Sequence, residues 1–326
     1  MIRSLLLLLA ASAAVPALAK SADAPPRLFQ GSDLFGLEVA TDPRISPDGA
    51  WIVYVRKSND IMTDKAVSTL WLIDAKTGAQ SPLVAGPGTH LSPRWSPDGK
   101  RLAYVSAPEG DTPELYVRWM ASGATARITS LPDSPSAIAW SPDGSQLAYI
   151  MRVPGEPARY GEALPKPEGA KWADPLDIVS AVTYRQDGGG YVPAGYDHIF
   201  TVPADGGSPR QRTFGPYDDG GPLSWAPDGR TLYFSANRAK DWEREPLNTE
   251  VYALDLASDA LTALTRRNGP DAAPIVSPDG RRIAYLGFDD KALGFQNNLL
   301  YVMDRDGGGG HAITAGLDRS IDDAQW

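Results

Sequence analysis

The side chains best suited to chemistry gather in one short run, Arg238-Ala239-Lys240-Asp241-Trp242-Glu243-Arg244-Glu245. Arg238 could hold a carboxylate through paired N–H bonds, and Glu243 or Glu245 could pair with an amine, with Asp241 and Trp242 beside them. The competing reading is a solvated loop whose charges pair with one another and contribute little. Nucleophilic chemistry finds less support. Gly206-Gly207-Ser208-Pro209-Arg210 approaches the Gly-x-Ser-x-Gly pattern and fails at its last position. A nucleophilic Ser also needs a base within hydrogen-bond reach. The three histidines, His90, His198 and His311, fall at strand edges or turns of different repeats, and their spacing suits no metal. Asp304-Arg305-Asp306-Gly307-Gly308-Gly309-Gly310 lacks the spacing of a calcium loop and the Lys-Ser/Thr of a phosphate loop, so it reads as a hairpin turn, as does Asp187 to Gly190. With no Cys there is no thiol nucleophile and no disulfide framework. The sequence assigns this chain no catalytic residue, no metal and no cofactor.

What must position the charged run is a repeat. Ser-Pro-Asp-Gly begins at Ser46, Ser96, Ser141 and Ser277, with Ala226-Pro227-Asp228-Gly229 as a variant, so successive starts lie 50, 45, 85 and 51 residues apart. A period of this size marks a repeat architecture. Pro presets φ, Asp bonds its own backbone and Gly accepts positive φ, so the tetrapeptide is a tight turn. Trp95, Trp140 and Trp225 precede it, and apolar runs such as Leu102-Ala103-Tyr104-Val105 and Leu147-Ala148-Tyr149-Ile150 follow it. A second hairpin comes next in each unit, as in Leu115-Tyr116-Val117 with the returning run Arg127-Ile128-Thr129. Each unit thus has four short antiparallel strands, apolar on both faces. Sheets buried twice in this way stack face to face around an axis, which is an all-β propeller with about five blades present. Each Trp should wedge between neighbouring blades.

The interval between the third and fourth turns is longer than the others. Its excess lies at Val153 to Asp197, Pro-rich at first and Gly-rich late, and is read as an excursion over one rim with a strand at Asp177 to Tyr184. The first nineteen residues read as a cleavable export signal: Arg3, an apolar stretch from Ser4 to Ala14, then Ala17-Leu18-Ala19. Residues 20–326 are then the propeller, in the periplasm or secreted, with no membrane contact after cleavage. A net charge of −9 with scattered Lys and Arg argues against nucleic acid as a partner. Trp326 stands where Trp95, Trp140 and Trp225 stand, so the expectation is that the sequence breaks off inside a sixth repeat, leaving an open, truncated propeller.

Three stretches carry a family resemblance: Lys171-Trp172-Ala173-Asp174-Pro175 leading to Tyr184 through Tyr191; His198 to Gly207 with Pro209-Arg210-Gln211; and Ala236-Asn237-Arg238 with Asp241-Trp242-Glu243. Together they resemble the N-terminal propeller of the prolyl oligopeptidase family of serine peptidases, in its acylaminoacyl-peptidase and dipeptidyl-peptidase branch. The resemblance implies a parent in which a propeller gates peptide access to a C-terminal α/β-hydrolase domain. That domain carries Ser, Asp and His in chain order and is absent from this sequence. It makes Arg238, Asp241, Trp242, Glu243 and Glu245 candidates to face peptide substrates and the hydrolase domain. The tetrapeptide also marks the Tol-system periplasmic propeller, so a non-enzymatic periplasmic propeller that binds a protein partner is the alternative.

Overall fold

The computed structural model describes residues 28–108, 112–162, 164–173, 176 and 178–326. The export-signal reading of residues 1–19 lies outside the described residues.

After a 3-10 turn at Gly31–Gly36, the strands fall into five four-stranded antiparallel modules. Module one is β1 (Glu38–Ile45), β2 (Trp51–Asp60), β3 (Lys65–Asp74) and β4 (Gln80–Val84). Module two is β5 (Thr89–Trp95), β6 (Arg101–Ala107), β7 (Glu114–Trp119) and β8 (Thr125–Arg127). Module three has β9 (Ser136–Trp140) and β10 (Gln146–Pro154). Its excursion then carries the two-residue pair β11 (Arg185–Gln186) and β12 (Gly190–Tyr191), and β13 (Gly195–Pro203) and β14 (Arg210–Gln211) complete the module. Module four is β15 (Asp219–Trp225), β16 (Thr231–Ala236), β17 (Glu250–Asp255) and β18 (Ala260–Ala263). Module five is β19 (Asp271–Val276), β20 (Arg282–Gly287), β21 (Leu299–Asp304) and β22 (His311–Ala312). A single parallel bridge, Ser68 to Thr89, links the first two modules.

Of the strand read at 177–184, Asp177 lies outside the described residues and the described part, 178–184, forms no strand. Residues 178–184 are irregular, and the ladder begins only at Arg185. The β-branched residues Ile178, Val179, Val182 and Thr183 suit a strand, but none of them pairs with a strand among the described residues.

Each Pro-Asp-Gly corner joins the first and second strands of its module. The Ser141 hydroxyl donates to Asp143 Oδ1 at 2.6 Å and accepts the Gln146 N–H at 2.9 Å. Ser96 and Ser277 repeat both bonds. The Ser141 bond is the main cause holding the Asp143 carboxyl down at about 2. The closing Gly sits at φ near +70° in every case, from Gly49 (+71°) to Gly280 (+70°), a conformation that disfavours any side chain.

The cores lie between modules rather than within them. Leu102 and Tyr104 pack on Val53, Val55 and Leu70 of module one, while Ala103 and Val105 of the same strand face Leu147, Tyr149 and Met151 of module three. Ala148 and Ile150 then meet Leu232 and Phe234 of module four. The both-faces-apolar reading thus holds residue by residue, and the fold is a β-propeller of four-stranded blades. The Trp wedges follow one rule: each indole N–H donates to a backbone carbonyl in the first strand of the preceding module. Trp95 reaches Arg44 O at 3.0 Å, Trp140 reaches Arg94 O at 2.9 Å and Trp225 reaches Ala139 O at 3.3 Å.

The first strands contact one another in series, β1 to β5 to β9 to β15 to β19. All five carry a bulge, and in four of them a non-glycine residue sits near φ +50°: Asp42, Ser92, Ala137 and Ala273. The approach is tight enough that a Cβ on Gly221 would lie 2.7 Å from the Ala137 methyl.

Candidate functional site

Antiparallel order divides the two rims. The first-to-second and third-to-fourth turns are short and share one rim. The other rim carries the second-to-third connections, which run from residues 61–64 in module one to 155–194 in module three and 237–249 in module four. The charged run singled out in the sequence lies in this last loop.

Its members separate on folding. Arg238 turns inward. Its guanidinium donates to Asp219 Oδ1 through Nη2 at 2.5 Å and Nε at 3.1 Å, and to Phe214 O at 3.2 Å. The Asp219 side chain is fully buried, and that of Arg238 is 11% exposed. His198, also buried, stands 3.5 Å from the other Asp219 oxygen. The Tyr217 ring lies under the guanidinium at 5.4 Å. Arg238 is therefore bound within module four by a buried pair.

Trp242 meets Tyr196 of module three edge-on at 6.2 Å, so it ties the loop to the base of the excursion. Asn237 shapes the loop by donating to Glu245 O at 2.6 Å. Asp241 and Glu245 are exposed and Glu243 is half-buried; none of the three forms an ion pair with a described residue. The rim at this point presents three carboxylates beside two aromatic rings, interleaved with the exposed cations Lys240 and Arg244.

Next to it, Arg152 spans Asp197 at 3.3 Å and Asp218 at 3.7 Å and donates to Pro193 O and Gly195 O, which fixes the return of the excursion. Burial, then the neighbouring Asp218 charge, pushes the Asp197 carboxyl above the usual range.

The three histidines each stand in a different setting. His90 Nδ1 lies 2.9 Å from Ser106 Oγ, but both side chains are buried. His198 faces Asp219, and His311 lies 2.9 Å from Gly309 O. Ser208 is exposed. The Asp304–Gly310 segment is a turn closed by Gly307 N–H to Asp304 O, and Arg305 leaves it to reach Tyr233 Oη at 3.0 Å and Asp228 at 2.8 Å.

A second acidic position shows what burial does on this rim. Glu250 accepts from Thr265 Oγ1 at 2.6 Å, as Glu114 does from Thr129 in module two. Only Glu250 also has a buried aspartate, Asp271, near it, and desolvation with that charge pushes it up to about 7. A raised folded pKa gives stability that is complete below the unfolded value and is lost as pH rises through 7. Glu250→Gln keeps a carbonyl to accept from Thr265. It should be more stable than the parent by about 2–3 kcal/mol at pH 8 and equal to it near pH 4. Urea midpoints at the two pH values test this, and an equal difference at both would refute it.

Comparison with known proteins adds the family. Residues 36–173 match the TolB beta propeller domain, and residues 170–283 match the dipeptidyl peptidase IV N-terminal region. The second match contains the excursion from Ala170 onward, Asp219 and the whole of the 237–249 loop. The chain is 30% identical over 213 residues to the uncharacterized peptidase YuxL of Bacillus subtilis, covering 65% of this chain and 31% of that one. It is 25% identical over 280 residues to dipeptidyl-peptidase 5 of Porphyromonas endodontalis, covering 79% and 38%. The chain is related to the N-terminal propellers of the prolyl oligopeptidase-family peptidases. Among solved structures, the acylaminoacyl peptidase of Pyrococcus horikoshii superposes with a TM-score of 0.66 at 17% identity, over 89% of this chain and 42% of that one, which supports the fold. The chain thus spans well under half the length of these peptidases.

The sequence located the loop but not the internal fate of Arg238. It also passed over Asp219, Asp197 and Glu250. The one local signal for Asp219 is its place six residues after Thr213, matched by Asp271 after Thr265. Each Thr hydroxyl accepts a backbone N–H of the third strand of its module, from Ile199 and Val251.

Proposed function

We propose that the chain is the substrate-gating propeller of a serine peptidase that works outside the cytoplasm, with its Ser-Asp-His triad in a C-terminal hydrolase domain that follows Trp326. The match of residues 170–283 to the dipeptidyl peptidase IV N-terminal region carries this reading, because that stretch includes the long-loop rim. Continuation past Trp326 is supported by packing. The Trp326 indole donates to Ile275 O at 2.9 Å and Ile321 N–H donates to Asn298 O at 3.0 Å, the places taken by Trp95 with Arg44 and by Asp271 with Thr249. Residues 1–19 act as the export signal in this reading. No helix among the described residues is long and apolar enough to cross a membrane.

On this reading the chain alone hydrolyses no peptide. A fluorophosphonate probe should label the full-length parent and leave this chain unlabelled. An unlabelled parent, or a stop codon directly after a sixth repeat, would favour the second reading, a non-enzymatic periplasmic propeller. That alternative draws on the match of residues 36–173 to the TolB propeller.

Within the peptidase reading, Glu243 and Glu245 receive the free amine of the peptide, and Asp241 and Trp242 shape that surface. Glu245→Lys in the full-length enzyme should raise KM for free-amine peptides about fivefold or more, with kcat changed less than about twofold. An unchanged KM would remove Glu245 from the substrate surface.

A further inference from the structure

On the rim formed by the short turns, two neighbouring junctions share one frame and differ at one residue. At the first three Ser-Pro-Asp-Gly corners, the residue two places after the Gly donates its N–H to the Ser hydroxyl: Trp51, Arg101 and Gln146. Between modules two and three this residue closes the junction. The Arg101 guanidinium lies over the Trp140 ring at 4.9 Å, donates to Gly144 O through Nη2 at 2.6 Å and reaches Asp205 through Nη1 at 3.2 Å. A guanidinium thus covers the wedge and ties one corner to the next.

Between modules three and four the same frame stands without its cation. Trp225 takes the place of Trp140 and Gly229 that of Gly144, but Gln146 takes the place of Arg101. A pocket of about 130 Å3 lies there, bounded by Gln146, Trp225, Gly229, Asp143, Asp228 and two prolines. For scale, a dry cavity of about 150 Å3 takes up benzene, and a guanidinium is planar with fewer heavy atoms. The glycines show the difference in filling. A Cβ on Gly144 would lie 3.0 Å from Arg101 Nη2, whereas one on Gly229 would meet nothing nearer than Pro142 Cδ at 4.0 Å.

The charge of the pocket is negative. No Lys or Arg lines it, and Asp143 and Asp228 are exposed. Arg305 of module five takes Asp228 Oδ2 at 2.8 Å. Asp143 forms no ion pair with a described residue; its polar partners are the hydroxyls of Ser141 and Ser145, also wall residues, and the Ser145 N–H. Those bonds orient the carboxylate and leave its charge uncompensated.

We propose that this pocket binds a guanidinium from outside the propeller, an arginyl side chain or arginine itself, stacked on Trp225 with Asp143 as its counter-charge and Gly229 O as an acceptor. The ligand repeats in trans what Arg101 does within the chain at the preceding junction. The site lies on the rim away from the 237–249 loop, and it does not depend on a hydrolase domain.

The test is NMR of the chain labelled with 15N-tryptophan, in which the Trp225 and Trp140 indole peaks are those lost in Trp225→Phe and Trp140→Phe. N-acetyl-arginine amide should shift the Trp225 peak saturably and leave Trp140, already covered by Arg101, unmoved. Gln146→Arg supplies the missing cation from within and should abolish the shift, while the remaining indole peaks keep their positions and report an intact fold. Asp143→Asn should weaken binding about three- to fivefold. N-acetyl-lysine amide should bind about fivefold more weakly or worse, because an ammonium lacks the flat fork that stacks on an indole while donating sideways. Free arginine separates the sources: binding of the amide, with or without arginine, points to an arginyl side chain, and binding of arginine alone points to the amino acid. A Trp225 indole unmoved by both arginine ligands, an unchanged affinity in either variant, or equal affinity for the lysine amide would overturn the proposal.

Discussion

Trp140→Ala should lower the free energy of unfolding by about 3–5 kcal/mol. Trp140 is only 8% exposed and belongs to the core shared by modules two and three, among Val105, Leu115, Val117 and Leu147. Its removal empties the wedge that separates the two sheets and leaves the Arg94 carbonyl without its indole donor. It also takes away the ring on which the Arg101 guanidinium lies at 4.9 Å. Arg101 is bound on to Gly144 O at 2.6 Å, so the module-three turn loosens with it. Trp140→Phe should cost less, about 1–2 kcal/mol, because most of the apolar contact remains and chiefly the hydrogen bond goes. With typical domain stabilities of about 5–15 kcal/mol, the Ala variant should be marginal at 37 °C. Urea titration of both variants measures the difference. A Trp140→Ala midpoint within about 1 kcal/mol of the parent would mean that the modules are not held by their wedges.

The wedge was legible because everything that specifies it is local. The Trp, the turn and the following apolar strand lie within about ten residues, and turn chemistry and a period of two need no knowledge of distant partners. The same holds for the division of Leu102 and Tyr104 from Ala103 and Val105. The bulges at Asp42, Ser92, Ala137 and Ala273 were not legible. No shared residue type marks them, and the first strands that they contact lie about 45 to 85 residues away. The reading of 177–184 as a strand failed for a related reason. Propensity proposes a strand, but only a neighbouring edge completes one, and the residues described there have none. The charged loop was found for its composition and its resemblance to a family. Composition alone does not separate exposed Asp241 and Glu245 from Arg238, whose partner lies 19 residues back at the start of β15.

Arg238→Ala should cost about 3–5 kcal/mol, as much as the loss of a core Trp, even though it lies in the most charged loop of the chain. The substitution strands the Asp219 carboxylate, whose side chain has no exposed surface and which keeps His198 at 3.5 Å as a neighbour. It also frees Phe214 O and uncovers the Tyr217 ring. Asp219→Ala should be comparably severe, since it leaves the guanidinium half-sequestered without its counter-charge. The double variant should be less destabilised than the sum of the two, because it leaves neither charge unpaired. Arg305 and Asp228 provide the contrast. That pair is closer to solvent, with side chains 41% and 40% exposed, and its removal should cost at most about 1 kcal/mol beyond the lost Tyr233 contact. Stability of the four variants, measured together, decides what Arg238 is for. If Arg238→Ala unfolds at the parent midpoint, the Asp219 pair is dispensable and the guanidinium is available to a ligand. If the cycle returns the expected coupling, Arg238 is a strut, and in the peptidase reading proposed above the amine contact is left to the carboxylates that flank Trp242.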